Sequence, residues 1–295
     1  MRWWLCVLVG GALMLSACGS KRTAAAEPTS TSKIQKETLS AGSGHTCAIT
    51  PSGEIKCWGD DMNGQVSKAP QGRFVQLSAG DGHTCGLSET GEVKCWGNDL
   101  FNQVSKVPQG SFVQVSAGGW YNCALNETGK VKCWGKVLSK APQGSFVQLS
   151  ASSSHTCALS KSGEVTCWRK AALQVPEGPF VQLSAGDLHN CALSKAGAVQ
   201  CWGWDKYGQV SKAPQGRFVQ LSAGDGHTCA LSETGEVKCW GWDKDGQVSK
   251  APQGRFVQLS AGNGHTCALS ETGEVKCWGQ DKDGQVSKIP AEFRK

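Results

Sequence analysis

Seven cysteine pairs, a repeat near 38 residues and the lack of any helical hydrophobic period predict an all-β chain closed as a seven-bladed β-propeller. The pairs stand at 47/57, 85/95, 123/133, 157/167, 191/201, 229/239 and 267/277. Members of a pair are ten residues apart, and first cysteines recur at intervals of 38, 38, 34, 34, 38 and 38. The repeats cover about 35–72, 73–110, 111–144, 145–178, 179–216, 217–254 and 255–295. The unit is clearest from Arg217 to Gly254, RFVQLSAGDGHTCALSETGEVKCWGWDKDGQVSKAPQG.

Each unit offers three short strands in order. Phe218-Val219-Gln220-Leu221-Ser222 is short and apolar, Cys229-Ala230-Leu231 alternates, and Val237-Lys238-Cys239-Trp240 alternates again. Pairing Cys229 with Cys239 sets Ser232 opposite Glu236 and leaves the loop Glu233-Thr234-Gly235, a type I turn with glycine at the left-handed position. All seven copies keep that glycine (Gly53, Gly91, Gly129, Gly163, Gly197, Gly235, Gly273), as the backbone requires. Radial closure suits such units because it leaves few sheet edges. A linear β-solenoid would need distinct capping ends, whereas the first and last copies look like ordinary members. Two irregular ends point to the closure. Lys36-Glu37 replaces the Phe-Val of other copies, and the last copy stops at Phe293-Arg294-Lys295, where the next strand would begin.

Sixteen cysteines against three methionines suit an oxidising compartment, since cytosolic thiols stay reduced. The net charge of +6 is dispersed among alternating basic and acidic residues, which argues against nucleic-acid binding. Residues 1–17 carry one positive charge, an apolar run and then small residues, the pattern of a signal peptide. Residues 18–34 are small and polar and predict a flexible tether, leaving 35–295 as the propeller. The segment Leu15-Ser16-Ala17-Cys18 resembles the lipobox of bacterial lipoproteins. That resemblance implies lipidation of Cys18 and anchoring in the bacterial envelope. Gly19 after it implies the outer membrane or cell surface in a diderm host.

The run AGDGHTCALSETGEVKCWG followed by DKDGQV resembles the repeat of the regulator of chromosome condensation superfamily, across about residues 35–295. The resemblance implies a seven-bladed propeller, and the short period is similar to a bacterial branch that includes β-lactamase-inhibitory propellers. Two departures stand out: copies three and four lack four residues after the tryptophan, and Arg169 follows Trp168 where the others have Gly.

Within a unit His227, Cys229 and Leu231 share one strand face, with Val237 and Cys239 opposite. Zinc would use the histidine and both thiols. Copy three keeps Cys123 and Cys133 but has Tyr121 in place of the histidine, so disulfides are expected. The predicted bridges are Cys47–Cys57, Cys85–Cys95, Cys123–Cys133, Cys157–Cys167, Cys191–Cys201, Cys229–Cys239 and Cys267–Cys277. The six repeat histidines are expected to be hydrogen-bonded structural groups, and the one tryptophan per unit an inter-blade wedge. Asp-Lys-Asp-Gly at 243–246 and 281–284 offers only part of a calcium loop. No metal, cofactor or catalytic residue is expected.

The strand directions place the AGDG and GWDKDG loops on one rim and the SETG turns on the other. Copies six and seven differ, before their terminal residues, only at Asp225/Asn263 and Trp242/Gln280. The shared rim collects Asp61, Met62, Leu100, Phe101, Trp120, Tyr121, Leu188, Trp204, Tyr207, Asp225 and Trp242. Aromatics above a uniform framework predict a protein-binding surface, against the alternative of neutral drift in tolerant loops. The expected function is therefore a non-enzymatic, envelope-anchored propeller with a protein partner. Inhibition of an exported enzyme is the form that the resemblance suggests. The alternative is an enzyme acting on an extracellular substrate, which needs polar groups converging at a rim or in the channel. Guanine-nucleotide exchange, by family analogy, fits export poorly.

Overall fold

The computed structural model describes residues 37–137, 139–169 and 174–294. The predicted signal peptide, the predicted tether and Cys18 lie outside the described residues. Seven antiparallel sheets, each of three consecutive strands, form the seven blades. In blade six the inner strand Phe218–Ala223 pairs with the middle strand His227–Ser232, which pairs with the outer strand Val237–Gly241. Cys229 lies opposite Cys239, as the spacing predicts. The hairpin closes through Gly235 N–H donating to Ser232 at 3.0 Å, with Gly235 at φ +84°. A β-carbon at Gly235 would also stand 3.0 Å from the Phe256 carbonyl, so both conformation and space select glycine. The Gly235 carbonyl in turn accepts the Phe256 N–H at 2.9 Å, and the same bond ties the turns of blades one to five to the blade that follows.

All seven predicted disulfides are present, with Cα atoms 4.0–4.1 Å apart. The first cysteine of each pair is fully buried between blades. Closing a ten-residue loop constrains the unfolded chain by about 2–3 kcal/mol per bridge.

The inner strands present open edges to the axis, and side chains of the preceding blade cover them. Gln220 accepts the Leu259 N–H at 2.8 Å and donates to the Leu259 carbonyl at 3.2 Å. Ser222 Oγ accepts the Ala261 N–H at 2.8 Å. The apolar core is likewise shared between neighbours. Cys191 and Leu193 of blade five pack on Phe218, Leu221, Ala230 and Trp240 of blade six. Each such large side chain, fully buried, stabilises the ring by roughly 1.5–3 kcal/mol. The tryptophans are the inter-blade wedges that the repeat predicts.

The irregular ends meet, as expected. Cys267 and Val275 of blade seven pack on Leu39, Ala48 and Trp58 of blade one, together with Phe293 from the C-terminal 3-10 turn Ala291–Phe293. Phe293 thus supplies the aromatic side chain that blade one lacks at Lys36. Hydrogen bonds complete the seam: Trp58 Nε1 donates to the Gln285 carbonyl at 2.9 Å, and Ala41 N–H donates to Ser260 Oγ at 2.9 Å.

Candidate functional site

The rim is built on loops that brace themselves. In blade five, Asp205 Oδ1 accepts the Val210 and Ser211 N–H groups at 2.8 and 3.0 Å, and Gln209 Oε1 accepts the Tyr207 N–H at 2.8 Å. Asp61, Asp99, Asp243 and Asp281 cap their own loops in the same way. Donation from the Ser211 N–H holds Asp205 below the usual carboxylate range. The acidic motif that resembled a calcium loop is therefore a backbone cap. The loop's Gln209 carbonyl accepts the Trp240 indole N–H of the next blade at 2.9 Å, so the rim is tied to the core. Trp202, after the shortened loop of copy four, has its indole N–H buried with no partner among the described residues.

On this scaffold the aromatic side chains gather in two clusters. Trp204 meets Tyr207 edge-on at 5.4 Å, and Tyr207 stacks on Trp242 at 6.1 Å. Across blades two and three, Phe101 and Trp120 lie 5.5 Å apart, with Lys136 Nζ 4.5 and 4.7 Å from the two ring centres. Met62, Leu100, Trp120, Leu188, Trp204 and Tyr207 are exposed, while Phe101 and Trp242 are half-buried.

Tyr121 is a correction. It sits in the middle strand and is 1% exposed, so it does not belong to the accessible rim. Its hydroxyl bonds to the His155 carbonyl and Thr156 Oγ1, both at 2.7 Å. That is the place taken by histidine in other blades, where Nε2 reaches a Thr or Asn of the next blade. His227 meets Thr266 at 2.7 Å, and His265 meets Thr46 at 2.8 Å across the seam. At His83 the partner is Asn122 Oδ1, oriented because Asn122 Nδ2 donates to the Gln103 carbonyl. Nε2 therefore carries the proton there, leaving Nδ1 bare and buried. The histidines are structural, as expected.

Asp225 points to the axis instead of joining the aromatics. It lines a well at the channel mouth with Asp81 and Asp187, beside Ser43, Ser153 and Asn263. Burial first, then the charges of Asp187 and Asp81, pushes Asp225 up to about 6. Burial also raises Asp81, against a hydrogen bond from Ser153 at 2.8 Å. Sequence reasoning missed Asp81 and Asp187, although the position between the paired glycines varies from copy to copy. Carbon-13 NMR should follow the Asp225 carboxyl titrating near pH 6, and Asp187→Asn should move that midpoint lower. A midpoint near 4 in the unaltered protein would contradict the shared well.

Seven segments of the chain, residues 37–65, 74–103, 112–136, 146–168, 180–209, 218–247 and 256–285, match the family model described as "Regulator of chromosome condensation (RCC1) repeat". Among solved structures, the chain is similar to the CRINKLY WD40 ectodomain of the Arabidopsis thaliana receptor kinase ACR4. Identity is 26% and the TM-score 0.74, over 85% of this chain and 97% of that one. The entire ectodomain of the Physcomitrella patens receptor kinase CR4 matches at 26% identity and TM-score 0.73, over 83% and 73%. Human WBSCR16, at 16% identity and TM-score 0.67 over 79% and 87%, shares the fold. No curated protein matches the chain.

Proposed function

The chain belongs to the regulator of chromosome condensation (RCC1) repeat family, and from that premise we propose that it is a non-enzymatic propeller that binds a protein partner through its aromatic rim. The observation that carries this reading is the cluster of exposed Trp204 and Tyr207 with half-buried Trp242, set on loops whose backbone is independently braced. Exposing such large apolar side chains is unfavourable in water unless a partner covers them. Met62, Leu100, Phe101, Trp120 and Leu188 extend the same surface, with Asp225 at its centre. Seven disulfides and the likeness to two receptor ectodomains support an extracytoplasmic setting. With it goes the lipid anchor at Cys18, the tether 18–34 and the propeller 35–295. Inhibition of an exported enzyme is the finer form of the reading.

Replacing Trp204, Tyr207 and Trp242 together with alanine is expected to weaken partner binding by several kcal/mol, since anchoring aromatics cost at least about 2 kcal/mol each. The fold should lose only the contacts among these rings, about 0.5–1.5 kcal/mol per pair. Glu233→Ala with Thr234→Ala on the opposite rim should change neither, because the Glu233–Arg217 pair there is exposed and screened. Titration calorimetry against a partner isolated from envelope extract reads the affinity, and equal losses from both rims would reassign the surface. A second reading, an enzyme, draws on the convergence of Asp81, Asp187 and Asp225 in the axial well. In that case Asp187→Asn would abolish turnover of an extracellular substrate while leaving partner binding intact.

A further inference from the structure

The rim is not uniform round the ring. The loops that follow blades three and four are each four residues shorter than the others, so blade four stands between two short loops. Trp168 and Trp202 come next after those loops and register the change. Trp168 is half-buried where the other six blade tryptophans are buried, and Trp202 has no acceptor for its indole N–H among the described residues. The inner turn of blade four is small as well, Ser152-Ser153-Ser154, whereas its neighbours place exposed Trp120 and Leu188 where it has Ser154. The two aromatic clusters therefore stand on either side of a gap. Trp120, with Phe101 and Lys136, bounds it from blades two and three. Leu188, whose carbonyl accepts the Trp204 N–H at 2.9 Å, joins the other side to the cluster of Trp204 and Tyr207. At the inner end lies the axial well of about 90 Å³, with Asp81, Asp187 and Asp225 and no basic residue in its lining. Ser153 Oγ donates to Asp81 at 2.8 Å and Ser154 Oγ to the Asp187 carbonyl, so the floor of the gap is fixed to the well.

We propose that the gap over blade four is the docking cleft for a protruding loop of the protein partner, whose tip places an arginine guanidinium in the axial well. The inference rests on the protein-partner reading above and assigns the partner its shape and charge. The aromatic groups on both sides take the apolar flanks of the loop, in the manner of anchoring residues at an interface. Charge complementarity decides the tip. Three carboxyl groups that converge without a base repel one another, and a cation between them removes that repulsion. Arginine suits the place because its planar fork donates to several carboxylate oxygens at once. It is also weakly hydrated and stacks on aromatic faces, so little is lost as it passes between the two clusters. An acidic tip would meet like charge, and a flat partner surface would touch the aromatics and leave the well unfilled.

The test uses the full chain and two probes, N-acetyl-arginine amide and a hairpin peptide with arginine at its tip and leucine on its flanks. Each has a control in which uncharged citrulline replaces the arginine. Carbon-13 NMR should show the arginine probes shifting the carboxyl signals of Asp81, Asp187 and Asp225, while Asp61 and Asp243, which cap loops, stay in place. The citrulline forms should bind at least about tenfold more weakly, and Asp187→Asn should weaken both arginine probes by a similar factor. Ser154→Trp should weaken the hairpin about tenfold by filling the cleft, yet leave N-acetyl-arginine amide unaffected. The turn accepts that side chain, since blade three carries Trp120 at the same place, and the melting temperature checks the fold. Absent carboxyl shifts, equal binding of the citrulline forms, or unaltered hairpin affinity in Ser154→Trp would overturn the proposal. The protein-partner reading fails separately, through unchanged affinity of the isolated partner for the Trp204, Tyr207 and Trp242 triple variant.

Discussion

Phe293→Ala is expected to lower the unfolding free energy by about 3–5 kcal/mol, the cost of emptying a well-packed aromatic site. Phe293 is 3% exposed and fills the seam with Trp58, 6.1 Å away between ring centres. The equivalent contact within the ring, Phe180 with Trp202, spans 6.4 Å, so the C-terminal residue reproduces the repeat geometry from outside the repeat. What distinguishes Phe293 is its covalent position. It reaches the seam from the chain end, through a 3-10 turn whose neighbour Glu292 makes only an exposed contact with Lys56 at 3.6 Å. Such a pair contributes at most about 1 kcal/mol. Hydrogen exchange should therefore show blades one and seven losing protection first in Phe293→Ala. Uniform loss around the ring, or a stability change below about 1 kcal/mol, would mean that closure rests on the backbone bonds of the seam alone.

The repeat frame was legible because its determinants are local and recur. The hairpin glycines need positive φ, the cysteine spacing fixes a cross-strand pair, and the Phe-Val-Gln-Leu-Ser run reads as a short buried strand. Closure was legible too, since Lys36-Glu37 and Phe293 are complementary defects. Tyr121 was misread because its aromatic character suggested a rim, although its register with the histidines already placed it in the middle strand. The acidic loop motif was ambiguous for a different reason. Only the geometry shows that Asp243 Oδ1 spends its lone pairs on Val248 and Ser249 N–H at 2.8 and 2.9 Å. The axial well was invisible because its carboxylates come from blades two, five and six and converge only when the ring is closed. No local pattern marks such a site. Glu37 was noted as a departure from the repeat, but its place in the channel depends on which way the first strand faces.

Acid is expected to destabilise the ring steeply between pH 6.5 and 4, through its buried histidines. Burial, reinforced by neighbouring histidines, pushes His45 and His189 down to about 4 and His227 and His265 to about 3. An unfolded histidine titrates at about 6.5. As pH falls through that value, the unfolded chain takes up protons that the folded ring refuses. The stabilising contribution is thus complete above about 6.5 and declines until the folded groups protonate as well, by about 1.4 kcal/mol per pH unit for each histidine. Three carboxyls act in the opposite sense, Glu37, Asp225 and Asp81, all raised chiefly by burial. Burial raises Glu37 from 4.5 to about 7 and Asp225 from 3.8 to about 6, so their contribution is present at low pH and is lost as pH rises through those windows. With His83 also lowered by burial, five histidines against three carboxyls leave a net loss on acidification, which over two units is comparable with the roughly 5–15 kcal/mol that holds an ordinary domain. Blade three supplies the control. Its Tyr121 makes the inter-blade bond with no group that titrates in this range, so His227→Tyr should reach Thr266 similarly and reduce the pH slope by about 1.4 kcal/mol per unit. Urea midpoints measured at half-unit steps from pH 7.5 to 4 read both slopes. Equal midpoints at pH 7 and 4.5 would show that the histidines are not held neutral by the fold, and an unaltered slope in His227→Tyr would assign the acid sensitivity elsewhere.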